Sequence, residues 1–353
     1  MKAWSGSYKI ISDRVKNKEI EMNVAINGLG RIGKNFLRAF FLEPSKDINL
    51  VAINIGPNSL DMVPYIIKYD TLLGTYNKEI RCEKDVLFIA GQKIQLFAHT
   101  DPRDCKWSEL EVDWVVDCSG KFTHRQDAQK HLESGAHYVL ISAPAHQEDV
   151  SIIPGINDSA FDPKKDKIVS LGSCTTNAFV PMLHVLHERF TITRGFMTTI
   201  HAYTNSQVLL DVQKKDPRRS RAAALNIIPT STGAAKMVNK IMPDIGPLID
   251  AVALRVPVAK CSLIDLVVTT AHEVTAQQVN DAFKDAAQNT LKGIVAVSDE
   301  PLVSTDYYGN SHSVVIDALL TITQGTMVKL FGWYDNEWGY SMRLRDFIYA
   351  QKK

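Results

Sequence analysis

Cysteine is scarce in this chain: five in 353 residues, at positions 82, 105, 118, 174 and 261. An odd count without close spacing excludes a disulfide framework. No Cys-x-x-Cys pair occurs, so the usual mark of a structural zinc site is missing. An excess of charge is missing too. Forty Lys and Arg stand against 39 Asp and Glu, for a formal net charge of +1. The basic imbalance of a protein built for nucleic acid or a membrane surface is therefore not there. No apolar run reaches the ~18 residues that a membrane-spanning helix needs. Residues 1–21 lack the apolar core of a secretory signal, and Asp13, Glu19 and Glu21 count against a transit peptide. They read as a polar N-terminal extension or the product of an upstream start codon, with Met22 as a natural start. The expected location is the cytoplasm.

What is present fits an ordinary globular protein, with 45% hydrophobic and 22% charged residues. The length suits two domains with sizeable cores. From residue 22 the chain reads strand (23–28), helix (31–41), strand (48–54), a unit that forces a parallel pair. Strands follow at 86–90 and 93–98 around Gly91. Two more, at 114–120 and 137–144, flank a helix near 126–134. This alternation describes a doubly wound α/β sheet of the Rossmann type over 22–173. Beyond it a helix at 175–189 leads into strand-rich segments at 193–203, 248–258 and 262–271. A helix at 276–288, further strands in HSVVIDALL and TMVKLFGWYD, and a helix at 339–350 follow. The expectation is an α+β second domain, 174–337, with a mixed or antiparallel sheet. The last helix, within 338–353, is expected to complete the first domain. Residues 207–226 form a polar, basic, apolar-flanked stretch that reads as a surface or interface loop.

Two places carry chemistry. Asn27-Gly28-Leu29-Gly30-Arg31-Ile32-Gly33 follows a strand and opens a helix. The first glycine permits a tight turn, the second lets backbone approach a pyrophosphate, and the third lets the helix pack closely. The helix start then offers N–H groups to phosphate. A dinucleotide is the expected ligand. The acid that normally binds the ribose hydroxyl and repels a 2′-phosphate is absent, because the second strand runs into Asn54-Ile55-Gly56-Pro57-Asn58 and the first acid is Asp61. The second place is Ser173-Cys174-Thr175-Thr176-Asn177, which opens a helix after the strand-like KIVSLG. A helix N-terminus favours a thiolate, but a buried structural cysteine fits the same pattern. His201 ends a strand and is a candidate base for that thiol; a packing histidine is the alternative. His184 and His187 read as surface or packing residues rather than metal ligands, since no third ligand is spaced to join them.

The segments NGLGRIG, SCTTN, TTIHAYTN, NIIPTSTGAAK, LRVPV and WYDNEWGYS occur in this order. With them, residues 23–350 resemble the phosphorylating glyceraldehyde-3-phosphate dehydrogenases. The resemblance implies that Cys174 attacks the aldehyde and His201 moves the proton. It implies a substrate-phosphate site with Thr204 and Arg255, and a site for attacking phosphate with Ser173, Thr175, Thr232, Gly233 and Arg221. Cofactor contacts are implied for Asn27, Gly28, Gly30, Arg31, Ile32, Gly33, Ile55, Thr100, Ser119, Ser142, Asn336 and Tyr340, with Asn336 on the nicotinamide carboxamide. It further implies a homotetramer. Three departures cluster at the adenosine end. Ile55 stands where the family has an acid, Val212-Gln213 where NAD-specific members have Leu-Pro, and Thr100 where an arginine usually lies. The cofactor is accordingly expected to be NAD or NADP, with NADP accepted. Lys214, Lys215, Arg218 and Arg219 are candidates to meet a 2′-phosphate from a neighbouring subunit. Erythrose-4-phosphate dehydrogenase is the sister activity sharing these motifs. A non-catalytic nucleic-acid-binding relative is disfavoured by the charge balance.

Overall fold

The computed structural model describes residues 22–352; the expected extension 1–21 lies outside them. Nine strands make the first sheet: β1 (Met22–Asn27), β2 (Ile48–Asn54), β3 (Ile80–Glu83), β4 (Val86–Ile89), β5 (Gln92–Phe97), β6 (Trp114–Asp117), β7 (Tyr138–Ile141), β8 (Val150–Ser151) and β9 (Ile168–Ser170). Helices α1 (Arg31–Phe40), α2 (Val63–Lys68) and α3 (Arg125–Glu133) connect them. The spatial order is β3-β4-β5-β2-β1-β6-β7-β9-β8. β3, β4 and β5 form an antiparallel meander, and from β5 across to β8 every pairing is parallel. A parallel sheet covered on both faces reads as continuous apolar strands. β6 fits, with all four residues buried. The β4–β5 turn uses Ala90 and Gly91, both at positive φ, the backbone twist that a tight hairpin needs.

The second half runs α4 (Cys174–Phe190), β10 (Ile192–Ala202), β11 (Ile228–Ser231), α5 (Ala234–Ile241), β12 (Ile249–Val256), β13 (Ser262–Thr270), α6 (Ala276–Gln288), β14 (Val295–Ser298), β15 (Val314–Asp317), β16 (Ile322–Gln324), β17 (Met327–Tyr334) and α7 (Trp338–Ala350). Its sheet order is β11-β12-β10-β13-β17-β15-β14, with β16 on β17. The sheet is mixed: β10 pairs parallel with β12 and antiparallel with β13. β13 alternates buried and half-buried residues along its length, the period-two pattern of a strand with one face on a core. α4 packs into that core through Phe179, Met182, Leu183 and Leu186, none of them exposed. Each such burial contributes about 1.5–3 kcal/mol, so the helix that begins at Cys174 is firmly seated.

α7 returns to α1, and its Tyr340, Leu344, Phe347 and Ile348 join the apolar cluster of the first sheet. Two large cores thus lie side by side, and Cys174 packs against both. Sequence periodicity did not expose α2 or α5, each under nine residues long. The 207–226 stretch is an exposed loop with two single-turn helices, where Leu209, Leu210, Val212 and Leu225 face outward. Phe196 and Val252, on neighbouring strands β10 and β12, are also largely uncovered.

Candidate active site

The glycine turn after β1 depends on close approach. Gly28 lies at φ +97°, and a Cβ there would meet Ser119 backbone at 2.7 Å. A Cβ on Gly33 would sit 2.0 Å from the Gly28 carbonyl oxygen. Gly28 therefore admits no larger residue without moving the turn away from Ser119, and Gly33 none without moving helix from turn. Beside them a cleft of about 480 Å³ opens at the carboxyl ends of the parallel strands. Asn27, Gly28, Gly30, Ile55, Thr100 and Ser119 line it. Its floor is tied by Asn54, which donates to Asn27 Oδ1 (2.7 Å) and accepts from His99 N–H (2.9 Å). Asn27 in turn donates to Asp117 Oδ2 at 2.6 Å. Ser119 is fixed by its N–H and hydroxyl on Asp117 Oδ1, at 3.1 and 2.8 Å. The lining carries Lys121 and His99 and, among the described residues, no Asp or Glu. Ile55 is only 7% exposed and packs into the first core. A cleft at the strand ends, lined by Gly28 and Gly30 at the turn into a helix, fits the pyrophosphate half of a dinucleotide.

Several expected cofactor contacts lie outside that lining. The Arg31 guanidinium is engaged by Asp70 and Glu337, so what this residue and Ile32 offer at the helix start is backbone. Buried Asp70 also takes Lys34 at 2.8 Å. Burial works to raise the Asp70 pKa, but Lys34, Arg31 and the Leu73 N–H outweigh it and hold the carboxyl well below its usual range. Ser142 donates its N–H to Asp117 O, and its hydroxyl faces the Cys118 thiol. Tyr340 is buried, with its hydroxyl on Gly172 O at 2.9 Å.

The turn that delivers Cys174 starts at Gly172, φ +62°. Ser173 caps α4, its Oγ accepting from Thr176 N at 3.1 Å. Cys174 Sγ then lies 3.6 Å from His201 Nε2, at the end of β10. Burial pushes the thiol pKa up; the Arg255 charge and the Thr175 hydroxyl and N–H work against that rise. Burial, and after it the Arg255 charge, pull His201 down to about 3, against a hydrogen bond to Ala202. Both directions keep the pair neutral, as thiol and imidazole, until a reactant arrives. Arg255, from β12, is held beside His201 because the two residues are register partners. Its Nη1 is 2.7 Å from His201 Nδ1 and 3.0 Å from Ala202 O. His201 Nδ1 also lies 2.6 Å from Ala202 O. One nitrogen cannot donate to the carbonyl and accept from the guanidinium at once. With the proton on Nδ1, Nε2 is free to take the thiol proton. With Arg255 donating to Nδ1, Nε2 carries a proton to give.

Tyr334 is a residue that sequence reasoning missed. Its buried hydroxyl lies 2.9 Å from Thr175 Oγ1 and 2.7 Å from Thr199 Oγ1. It thereby ties the start of α4 to the strand that ends in His201. Nothing local in WYDNEWGYS reveals that tie, since its partners are 135 and 159 residues away. The expected anion-site residues are only partly together. Thr204 is at the loop start, its hydroxyl on Ser206 at 2.8 Å. Gly233 precedes α5, and Thr232 Oγ1 accepts from Ala234 N at 3.2 Å. Arg221 is not brought to the thiol: it is largely exposed and bound to Asp211 at 2.6 Å within the loop. Arg219 instead binds Thr230 Oγ1 at 2.8 Å, and its charge acts on Arg255. The single-turn helix Arg218–Ser220 turns Arg219 inward and Arg221 outward, which periodicity did not foretell. His187 accepts from Ile192 N–H at 3.2 Å, a packing role. Among the described residues no cluster of three or more His, Cys, Asp or Glu can hold a metal, and no helix is long and apolar enough to cross a membrane.

Comparison with known proteins gives the family of the chain. Residues 22–125 match the family described as glyceraldehyde 3-phosphate dehydrogenase, NAD binding domain, and residues 173–336 match its C-terminal domain. Glyceraldehyde-3-phosphate dehydrogenase 2 of Streptomyces avermitilis is 47% identical over 327 residues, covering 92% of this chain and 97% of the relative. Glyceraldehyde-3-phosphate dehydrogenase of Geobacillus stearothermophilus is 48% identical over 326 residues, covering 92% and 96%. Glyceraldehyde-3-phosphate dehydrogenase 2 of Bacillus subtilis is 46% identical over 330 residues, covering 93% and 96%.

Proposed function

The chain belongs to the glyceraldehyde-3-phosphate dehydrogenase family, and on that premise we propose how its residues oxidise glyceraldehyde 3-phosphate to 1,3-bisphosphoglycerate. The observation that carries the reading is Cys174 Sγ facing His201 Nε2 at 3.6 Å, at a helix start where both cores meet. His201 takes the thiol proton, and the thiolate attacks the aldehyde carbon to give a thiohemiacetal. N–H groups at the start of α4 stabilise the oxyanion, an interaction worth about 3–4 kcal/mol per donor. The His201 imidazolium returns that proton to the oxyanion, and the neutral imidazole then removes it again from the hydroxyl as hydride leaves, forming a thioester on Cys174. When bound, the dinucleotide supplies the hydride acceptor. Inorganic phosphate attacks the thioester carbon, and the thiolate departs with the acyl phosphate released.

Arg255 and Thr204 receive the substrate phosphate, and a guanidinium suits that dianion. Phosphate on Arg255 offsets the charge that depresses His201, so binding of substrate itself makes the base stronger. The attacking phosphate is received by Ser173, Thr175, Thr232 and Gly233, with Arg219 in the place expected of Arg221. Asn336 meets the nicotinamide carboxamide. NADP is accepted beside NAD, a reading supported by the acid-free cleft lining, Ile55, Gln213 and the basic residues Lys214, Lys215 and Arg218. The exposed apolar residues of the 207–226 loop and of Phe196 and Val252 support a homotetramer, with a cytoplasmic location part of the same proposal.

Turnover is measured by reduced-cofactor absorbance with glyceraldehyde 3-phosphate, inorganic phosphate and each dinucleotide. Activity that vanishes without phosphate and in Cys174→Ser is the expected result; activity surviving in Cys174→Ser refutes the mechanism. A kcat/KM ratio for NADP over NAD below about 0.01, or ~2.7 kcal/mol, refutes the coenzyme reading.

A further inference from the structure

Cys261 has φ +66°, a region that side-chain-bearing residues rarely occupy. Its neighbours show what holds it. Lys260, Cys261 and Ser262 each grip one of three consecutive residues where β17 ends. Lys260 Nζ pairs with Asp335 Oδ2 at 2.8 Å, the side chains 1% and 0% exposed. The Cys261 thiol donates to Tyr334 O at 3.3 Å. The Ser262 hydroxyl donates to Asn336 Oδ1 at 3.2 Å. Asp335 passes the restraint on: its Oδ1 accepts from Glu337 N (3.0 Å) and Trp338 N (2.9 Å), which fixes the start of α7.

Ser262 bridges the strand end and the amide. Its Oγ accepts the Ala202 N–H at 3.1 Å, and its own proton is donated to Asn336 Oδ1 at 3.2 Å. The Asn336 amide thus has its oxygen on Ser262. Its Nδ2, which meets no acceptor among the described residues, is turned away with two N–H groups free, although the residue is only 6% exposed. Ala202 follows His201 directly, so one hydroxyl joins the end of the base-bearing strand to the amide.

We propose that Ser262, locked by the Lys260–Asp335 pair, is a positioning residue for the redox step: it aims the Asn336 amide N–H groups at the carboxamide oxygen of the dinucleotide. This rests on the role assigned to Asn336 above. The test compares dissociation constants, by titration calorimetry, for NAD (or NADP, where that binds better) and for the matching ADP-ribose, which lacks nicotinamide. Ser262→Ala is expected to weaken the dinucleotide about 5–20-fold, the range of one lost hydrogen bond. The ADP-ribose constant is expected to stay within about twofold, and kcat to fall with the dinucleotide constant's rise. Equal weakening of both ligands, or no weakening of either, overturns the proposal. Asn336→Ala separates the two layers. If it selectively weakens the dinucleotide while Ser262→Ala does not, the Ser262 role is wrong and the Asn336 reading stands. If Asn336→Ala is also without selective effect, the Asn336 reading itself is wrong.

Discussion

Tyr334→Phe removes one oxygen and tests whether the catalytic gap is set by a tie between α4 and β10. Two hydrogen bonds are lost, of 2.9 and 2.7 Å, and they leave the hydroxyls of Thr175 (5% exposed) and Thr199 (1% exposed) in a dry site. A neutral hydrogen bond contributes about 1 kcal/mol net, and an orphaned buried group costs about 1–3 kcal/mol. Partial relaxation of the threonines brings the expected total to about 2–3 kcal/mol. Unfolding entropy of roughly 2.1 cal/mol/K per residue converts that, over this chain, to a Tm drop of about 3–4 °C in differential scanning calorimetry. The kinetic effect is separable. The Thr175 hydroxyl also faces the Cys174 sulfur, so releasing it loosens both the thiol and its 3.6 Å approach to His201. Iodoacetamide modification of Cys174 and kcat are each expected to fall about tenfold, equivalent to ~1.4 kcal/mol. A lowered Tm with wild-type alkylation and turnover would mean that the tie stabilises the fold without setting the gap. In a double-mutant cycle with Thr199→Val, additive losses would refute a direct coupling between the two hydroxyls.

Three further outcomes follow from the same structure. His201→Asn is expected to lower kcat by ~10²–10⁴ and to slow alkylation of Cys174 at neutral pH; unchanged alkylation would show that the histidine is a packing residue. Gly33→Ala places a methyl 2.0 Å from the Gly28 carbonyl oxygen, so overpacking of about 1–3 kcal/mol is expected in urea unfolding, with at least ~10-fold weaker dinucleotide binding. Full binding would mean that the turn adapts. Asp70 has a folded pKa below its unfolded value, so its contribution is present above pH ~4 and is lost as acid protonates it. The wild-type urea midpoint should fall from about pH 4 downward, and Asp70→Asn should be less stable at neutral pH with a flatter acid limb. A variant with an unaltered acid limb would show that the Arg31–Asp70–Lys34 cluster contributes nothing to stability.

Much of this protein was legible in its sequence, because the signals there are local. A strand, a Gly-rich turn and a helix within thirty residues require only backbone geometry and apolar periodicity to be recognised, and β1, α1 and β2 lie where those rules put them. Ser173 before a helical run is a cap by its chemistry alone. The missing acid after β2 was equally plain, since it is a matter of residue type. Only the tertiary structure could decide which distant groups meet. Parallel pairing of β10 with β12 brings Arg255 to His201 across 54 residues. The inward turn of Arg219 and the outward turn of Arg221 depend on one short helical turn in an exposed loop. The ties made by Tyr334 and by the residues 260–262 join segments more than 70 residues apart. Residue types and near-neighbour spacing specify elements and caps; which charges and hydroxyls face one another depends on strand register and on the seating of α4 in the second core with Cys174 against both, and those arise only when the whole chain packs.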